Sequence, residues 1–442
     1  LGIYEPVRGG ELLQRPLLQH LPASSLQHLA CTLDWRSAAQ IAALSQLTAL
    51  RTLSVLGPGG ERSWHNSYSS AIAGNNGHAV LEPLSALQQL TFLESVNTHQ
   101  LQHLQLPQLQ QLEITIAYSS DVNPQGALQL SHLRLGHLTG LSKLTVEGSW
   151  ALPDAASQLP PNLQELSYPT GSCARHSLRG SWFSVQPLLA LSRLQKLHLA
   201  VIAETASGAL ALQLSQLSRL SSLSSLQAVR LSCVWGRLSL AGLSKMEDAA
   251  ASVAAAWGVL PLKELQWSSL QVPAAVVRQI SALTGLTRLA LSSRAGQYGH
   301  IQATHAELAV TLTKLAALRR LSMCGFKSMA LPHYSNDVVS ELEAAGLPAA
   351  AHLYAAEVAR AVDSSVGDMY STPWLCHGIG GVAVLLQAVG MLHALEDVCV
   401  VLRVKLNSAL QMQTMQGVLQ QVLPEWLLTC LQVTATRVAV EL

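Results

Sequence analysis

Charge is scarce in this sequence. Only 12% of its residues are Asp, Glu, Lys or Arg and the net charge is +1, against roughly 25% charged residues in an ordinary globular chain. So neutral a chain projects no broad field toward nucleic acid or an anionic membrane. Aromatics are also few, at 5%. The tryptophans, among them Trp150, Trp235, Trp257 and Trp267, read as core or loop anchors rather than as platforms for stacked bases. Cysteine is present but never paired: Cys31, Cys173, Cys233, Cys324, Cys376, Cys399 and Cys430 stand singly, without a C-x-x-C or an even framework. No Asn-x-Ser/Thr sequon occurs either. Both absences point to reduced thiols in a reducing, cytoplasmic compartment.

Long apolar runs are missing too. The nearest, "GVAVLLQAVGMLHALEDV" from Gly381, is broken by Gln387, His393, Glu396 and Asp397, and a membrane span needs roughly 18–20 apolar residues. It reads as a buried helix. The chain begins at Leu1, which leaves a removed targeting peptide or an upstream domain open. Chemical motifs are equally thin. "GPGGERS" (57–63) lacks the Lys-Ser/Thr of a phosphate loop, and "GIGGVAV" (378–384) lacks a clear preceding strand, so both read as loop punctuation. His99 with His103 and His300 with His305 have no third or fourth ligand in their motif. There is no G-x-S-x-G, and Cys376 beside His377 is a poor dyad, because adjacent side chains seldom face one another. The expectation is a protein that is not an enzyme, with no cofactor, no metal, no small-molecule substrate and no nucleic-acid partner.

What is abundant is leucine, in a recurring order. "LTGLTRLALSS" (283–293) steps by three through Leu283, Leu286 and Leu289, then by two to Leu291. Close copies begin at Leu47, Leu138, Leu191 and Leu315, and looser ones at Leu84, Leu106, Pro160, Leu223, Val259 and Leu392. The shared core is L-x-x-L-x-x-L-x-[L/V/I/M], often preceded by apolar residues at helical spacing. Steps of three fit the end of a helix and a corner; the final alternation fits a short strand with one face inward. One such unit cannot bury its own leucines, but stacked units share a continuous core.

These repeats resemble the leucine-rich repeat family, clearly over roughly residues 20–330 and faintly over 382–442. The family pattern L-x-x-L-x-L-x-x-N/C-x-L is met in its strand half. Its Asn/Cys position holds Pro58, Ser149, Ile202, Arg294 or Phe326 instead, so the Asn ladder between turns is largely missing. The resemblance implies an α/β, right-handed solenoid or horseshoe, with short parallel strands on the concave face and helices and loops on the convex face. Residues 1–20 read as an N-terminal extension or cap, 21–330 as irregular repeats, and 331–442 as divergent helix–strand repeats closing the C-terminal end. Residues 57–80 and 170–187 read as exposed excursions. "SLAGLSKMEDAAASVAAAWG" from Ser239 reads as a long helix, and "SNDVVSELEAAGL" as a helix ending at Gly346.

The family resemblance implies a protein–protein interaction scaffold. "LLQHLPASSLQHLACTLDW" (17–35) is similar to part of an F-box, which would make the chain a substrate adaptor of a ubiquitin ligase, but it also matches "LPPNLQELSYPT" at 159–170 and so reads as a first repeat. Irregular repeats of this kind are similar to algal and protist ones, which implies a ciliary axoneme or cytoskeletal component as a further alternative. On the concave face, the outward strand positions include Thr52 and Ser54, Lys143 and Thr145, Glu165 and Ser167, Lys196 and His198, Ala228 and Arg230, Glu264 and Gln266, Arg288 and Ala290, Arg320 and Ser322. The candidate partner-binding set is Lys143, Glu165, Lys196, His198, Arg230, Glu264, Arg288 and Arg320. Its excess of cations suits an acidic protein surface, with charge setting orientation and on-rate.

Overall fold

A computed structural model of the chain describes residues 21–32, 38–56, 84–95, 104–115, 134–147, 158–168, 184–203, 215–235, 240–269, 271–293, 300–301, 305–327, 340, 342–344, 346–347, 388–389, 391–392 and 394–403. Two compact units are present, one of Leu1–Glu204 with Ser222–Leu226, the other of Thr205–Ser221 with Gln227–Leu442.

The leucine spacing builds each repeat. Leu44, Leu47 and Leu50 step by three, then Leu53 and Val55 by two, and all five are buried. The first steps are tight turns: the Leu47 N–H donates to Leu44 O and the Leu50 N–H to Leu47 O, both at 3.0 Å. A turn that advances three residues keeps successive leucines on one side. The backbone then straightens, and strand alternation points Leu53 and Val55 inward while Thr52 and Ser54 face out. The same course runs through Leu138, Leu141, Leu144 and Val146, through Ile280, Leu283, Leu286, Leu289 and Leu291, and through Leu312, Leu315, Leu318, Leu321 and Met323. Each leucine so buried contributes about 1.5–3 kcal/mol.

In the first unit seven strands pair in sequence order, all parallel: β1 (His28–Thr32), β2 (Thr52–Leu56), β3 (Gln89–Ser95), β4 (Gln111–Thr115), β5 (Lys143–Glu147), β6 (Glu165–Tyr168) and β7 (Lys196–Ala203). In the second, β8 (Ala228–Trp235), β9 (Glu264–Ser269), β11 (Arg288–Ser293), β13 (Arg320–Lys327) and β14 (Asp397–Arg403) pair in that order, also parallel. A small parallel pair, β10 (Gln271–Val272) with β12 (His300–Ile301), forms a separate sheet that lies against β9, β11 and β13. The architecture of each unit is an α/β solenoid of leucine-rich repeats.

One carbonyl per repeat fixes the register. Gln27 O accepts both the Arg51 and the Thr52 N–H, at 2.8 and 2.9 Å, and Arg51 O accepts those of Gln88 and Gln89. The pattern continues at Gln88, Gln110, Ser142 and Gln164 in the first unit, and at Gln227, Lys263 and Thr287 in the second. Two N–H donors converge on that one oxygen and lock the start of each strand to the one before.

The helices lie on the return segments. They are α1 (Ala38–Ser45) and the single-turn α2 (Gln186–Leu189) in the first unit, and α3 (Leu240–Trp257), α4 (Ala274–Ile280) and α5 (His305–Thr313) in the second. There α3 packs on α4 and α4 on α5. Among the described residues no helix is long and apolar enough to cross a membrane. The expected helix end at Gly346 is present in detail. Gly346 has φ +76°, its N–H donates to Glu343 O, and the Leu347 N–H reaches back to Leu342 O. That is a Schellman motif, with Leu342 and Leu347 buried together across it.

The missing Asn ladder is replaced piecemeal. His137 Nε2 lies 2.9 Å from Leu104 O, so that nitrogen carries the proton. The Ser142 hydroxyl donates to Gln110 O and Asn162 Nδ2 to Thr139 O. The Ser225 hydroxyl lies 2.8 Å from both Ser192 O and Leu194 O. In the second unit Thr287 Oγ1 donates to Lys263 O and Trp257 Nε1 to Leu217 O. Every one of these donors sits in a later repeat and reaches an earlier carbonyl. Ser142 and Thr287 stand at one repeat position, Asn162 and Ser225 at another, and His137 and Trp257 at two more, so polar side chains of several types bridge successive repeats where the family would use one repeated Asn.

Candidate protein-binding face

The outward strand positions form columns, because parallel register places equivalent residues side by side about 4.8 Å apart. In the first unit the first column runs His28, Thr52, Gln89, Gln111, Lys143, Glu165, Lys196. The second runs Ala30, Ser54, Thr91, Glu113, Thr145, Ser167, His198. In the second unit the first column runs Ala228, Glu264, Arg288, Arg320, Asp397, and the second runs Arg230, Gln266, Ala290, Ser322, Cys399. Leucine, valine and tryptophan at the intervening positions are buried, so the exposed columns are small, amide or charged.

All eight candidate residues lie in these columns, and the structure sorts them. Lys143 Nζ is 3.1 Å from Glu165 Oε1 and Lys196 Nζ is 3.6 Å from Glu165 Oε2. One carboxylate between two ammonium groups makes a self-contained ladder, and Lys196 belongs to it rather than to a free basic stripe. His198 Nδ1 lies 3.1 Å from the Ser167 hydroxyl. A serine against an imidazole is the start of a nucleophilic triad. On a strand face, however, backbone N–H groups lie in the sheet plane within the ladder, and no oxyanion hole forms there among the described residues. In the second unit Arg288 and Glu264 approach to 3.9 Å, with both side chains 44% exposed. A loose, wet pair of that kind is worth about 0–1 kcal/mol. Arg230 and Arg320 are exposed, and no ion pair reaches Arg230 among the described residues.

Sequence reasoning overlooked two features of this face. The residue just before each strand also lies at its edge and brings Lys263 and Arg319 beside the first column; Arg319 pairs with Glu396 at 3.2 Å. The repeated Leu-Gln before the strands was the visible signal for that position. A third column in the second unit runs Ser232, Ser268, Ser292, and the last two hydroxyls are bonded at 2.9 Å. Cys376 with His377, His99 with His103, the 57–80 excursion and the 378–384 glycine cluster lie outside the described residues, as does 170–183 of the second excursion. Of the F-box-like stretch, residues 21–32 are described. They are built as a repeat, with Leu26, Leu29 and Cys31 buried and β1 in register with β2.

No protein-family model and no curated protein matches the chain. Among solved structures, the internalin C2 of Listeria monocytogenes is similar over 59% of this chain and 80% of its own, at 14% identity and a TM-score of 0.26. What fixes the repeat fold is the strand register and the leucine burial described above.

Proposed function

We propose that this chain is a non-catalytic scaffold for protein–protein interaction, and that its partner lies on the exposed strand face. One observation carries the reading. The alternation that buries one side of every strand presents, on the other side, ordered columns of side chains that take no part in the core. Such a long, regular and mostly small-residue surface suits another protein better than a small molecule, which needs a deep pocket to bury most of its surface. Lys143, Glu165, Lys196, His198, Arg230, Glu264, Arg288 and Arg320 mark the face, and cations predominate among them, so the partner surface is acidic.

The test is steric. Thr145→Trp in the first unit and Ala290→Trp in the second each raise a bulky ring from the strand face. Lys314→Trp, in the turn after α5, is the control. Each tagged variant is used to capture partners from a lysate. The face variants should lose proteins that the wild type and the control retain. Loss with the control alone would move the binding surface away from the strands.

A further inference from the structure

On the reading of the strand face as the binding surface, we propose that the second unit takes an extended acidic peptide segment, laid across β9, β11 and β13. The two units differ in how charge is arranged on the first column. In the first unit, anion alternates with cation through Lys143, Glu165 and Lys196. In the second, the order is Glu264, Arg288, Arg320, Asp397, so two arginines are direct register partners. Like charges placed directly opposite on neighbouring strands repel. The Glu264 carboxylate answers this only in part, since its contact to Arg288 is 3.9 Å. Lys263 precedes Glu264 at the strand edge, and Arg230 stands in the second column of β8; no ion pair reaches either among the described residues. Arg319 is matched by Glu396. Counted by position along these strands, Arg230, Lys263, Arg288, Arg319 and Arg320 outnumber Glu264, Glu396 and Asp397, a cationic excess centred on the Arg288–Arg320 pair.

The floor beside that pair is low. Ala290 and Ser322 are the second-column residues next to Arg288 and Arg320, and both are small. A peptide backbone can therefore come close to the sheet. Its carboxylates would reach the arginines on one side, and its amides the bonded Ser268 and Ser292 hydroxyls on the other. An inserted carboxylate between Arg288 and Arg320 restores the alternation already present in the first unit. Single-stranded nucleic acid is the competing polyanion, but no aromatic side chain stands in these columns to stack a base.

The experiment measures binding of a fluorescent oligoglutamate peptide to the full chain by anisotropy, at several salt concentrations. Two double variants are compared, Arg288→Gln with Arg320→Gln on the strand face and, away from it, Lys245→Gln on α3 with Lys314→Gln in the turn after α5, each checked for an unchanged circular dichroism spectrum. The first should bind about tenfold more weakly with a shallower salt dependence; the second should bind as the wild type does. Equal weakening in both variants, or no binding of oligoglutamate by the wild type at low salt, overturns the proposal. Tighter binding of an oligothymidylate of equal charge overturns it in favour of nucleic acid. The tryptophan variants act by bulk and not by charge, so they still decide separately whether the strand face binds protein.

Discussion

Cys31 occupies the inward position that Val55 fills in the next strand, and it is 2% exposed. Burial without a charged partner pushes its thiol up from 9.0 to about 12. The folded state thus holds the proton while the unfolded chain releases it near 9. Below that pH the two states bind the same proton and the group has no effect. Between about 9 and 12 stability falls as pH rises, by about 1.4 kcal/mol per unit, and then levels. The difference in denaturant midpoint between wild type and Cys31→Val should therefore change from pH 8 to pH 10, with the wild type losing more. Iodoacetamide at pH 8 should leave Cys31 unlabelled until denaturant is added; rapid labelling of the native protein would contradict its burial. Two glycines in matching "LTGL" turns make a second contrast. A Cβ on Gly140 would sit 2.9 Å from Pro107 O and 3.2 Å from Leu109 O, whereas on Gly285 its nearest neighbour is Leu262 O at 3.7 Å. Backbone oxygens cannot swing aside. Gly140→Ala should lower the melting temperature, while Gly285→Ala should leave it unchanged or raise stability by up to about 1 kcal/mol through the unfolded chain.

At the level of elements, the side-chain donors that stand in for an Asn ladder are unequal. Most lie at the surface, where water can replace them. Trp257, at the end of α3, is different: it is 1% exposed, donates 3.0 Å to Leu217 O, and rests at 6.2 Å from the Trp267 ring. Trp257→Phe keeps an aromatic in place but removes a fully buried hydrogen bond to a carbonyl of the 3-10 turn Leu217–Ser222, at a cost of about 0.5–1.5 kcal/mol. Thr287→Val removes a surface bond and should cost at most about 1 kcal/mol. Equal losses in equilibrium denaturation would show that burial does not separate them. The strands themselves were legible in the residue order, since the change from steps of three to steps of two marks each corner, and Leu289 with Leu291 or Leu321 with Met323 face inward as that change requires. The outward columns follow from the same alternation. Their charge pairing was not legible: Glu165 meets Lys143 and Lys196 only after long and irregular return segments bring three strands together. Nor were the replacement donors, because His137, Asn162 and Trp257 share no position within the repeat and no residue type.

For the whole molecule, the consequence of stacking is that stability is shared between neighbours and not across the chain. Each repeat closes its core only with the repeats beside it, so free energy is close to a sum of local terms and nearest-neighbour contacts. Leu289 is fully buried on β11, with Leu265 of β9 and Leu321 of β13 as its register partners. Leu289→Asp places a carboxylate among those leucines, with no buried cation among the described residues. Either the group ionises without a partner or it takes up a proton, and both choices cost several kcal/mol. The loss should fall first on β9, β11 and β13, whose ladders depend on that residue. Amide hydrogen exchange should then show those three strands opening far faster than in the wild type, while β2 to β5 keep their protection. Leu112→Asp, on β4 between Leu90 and Leu144, should give the mirror result in the first unit. Uniform loss of protection along the chain in both variants would mean that the repeats unfold as one cooperative block, and the nearest-neighbour account would fall.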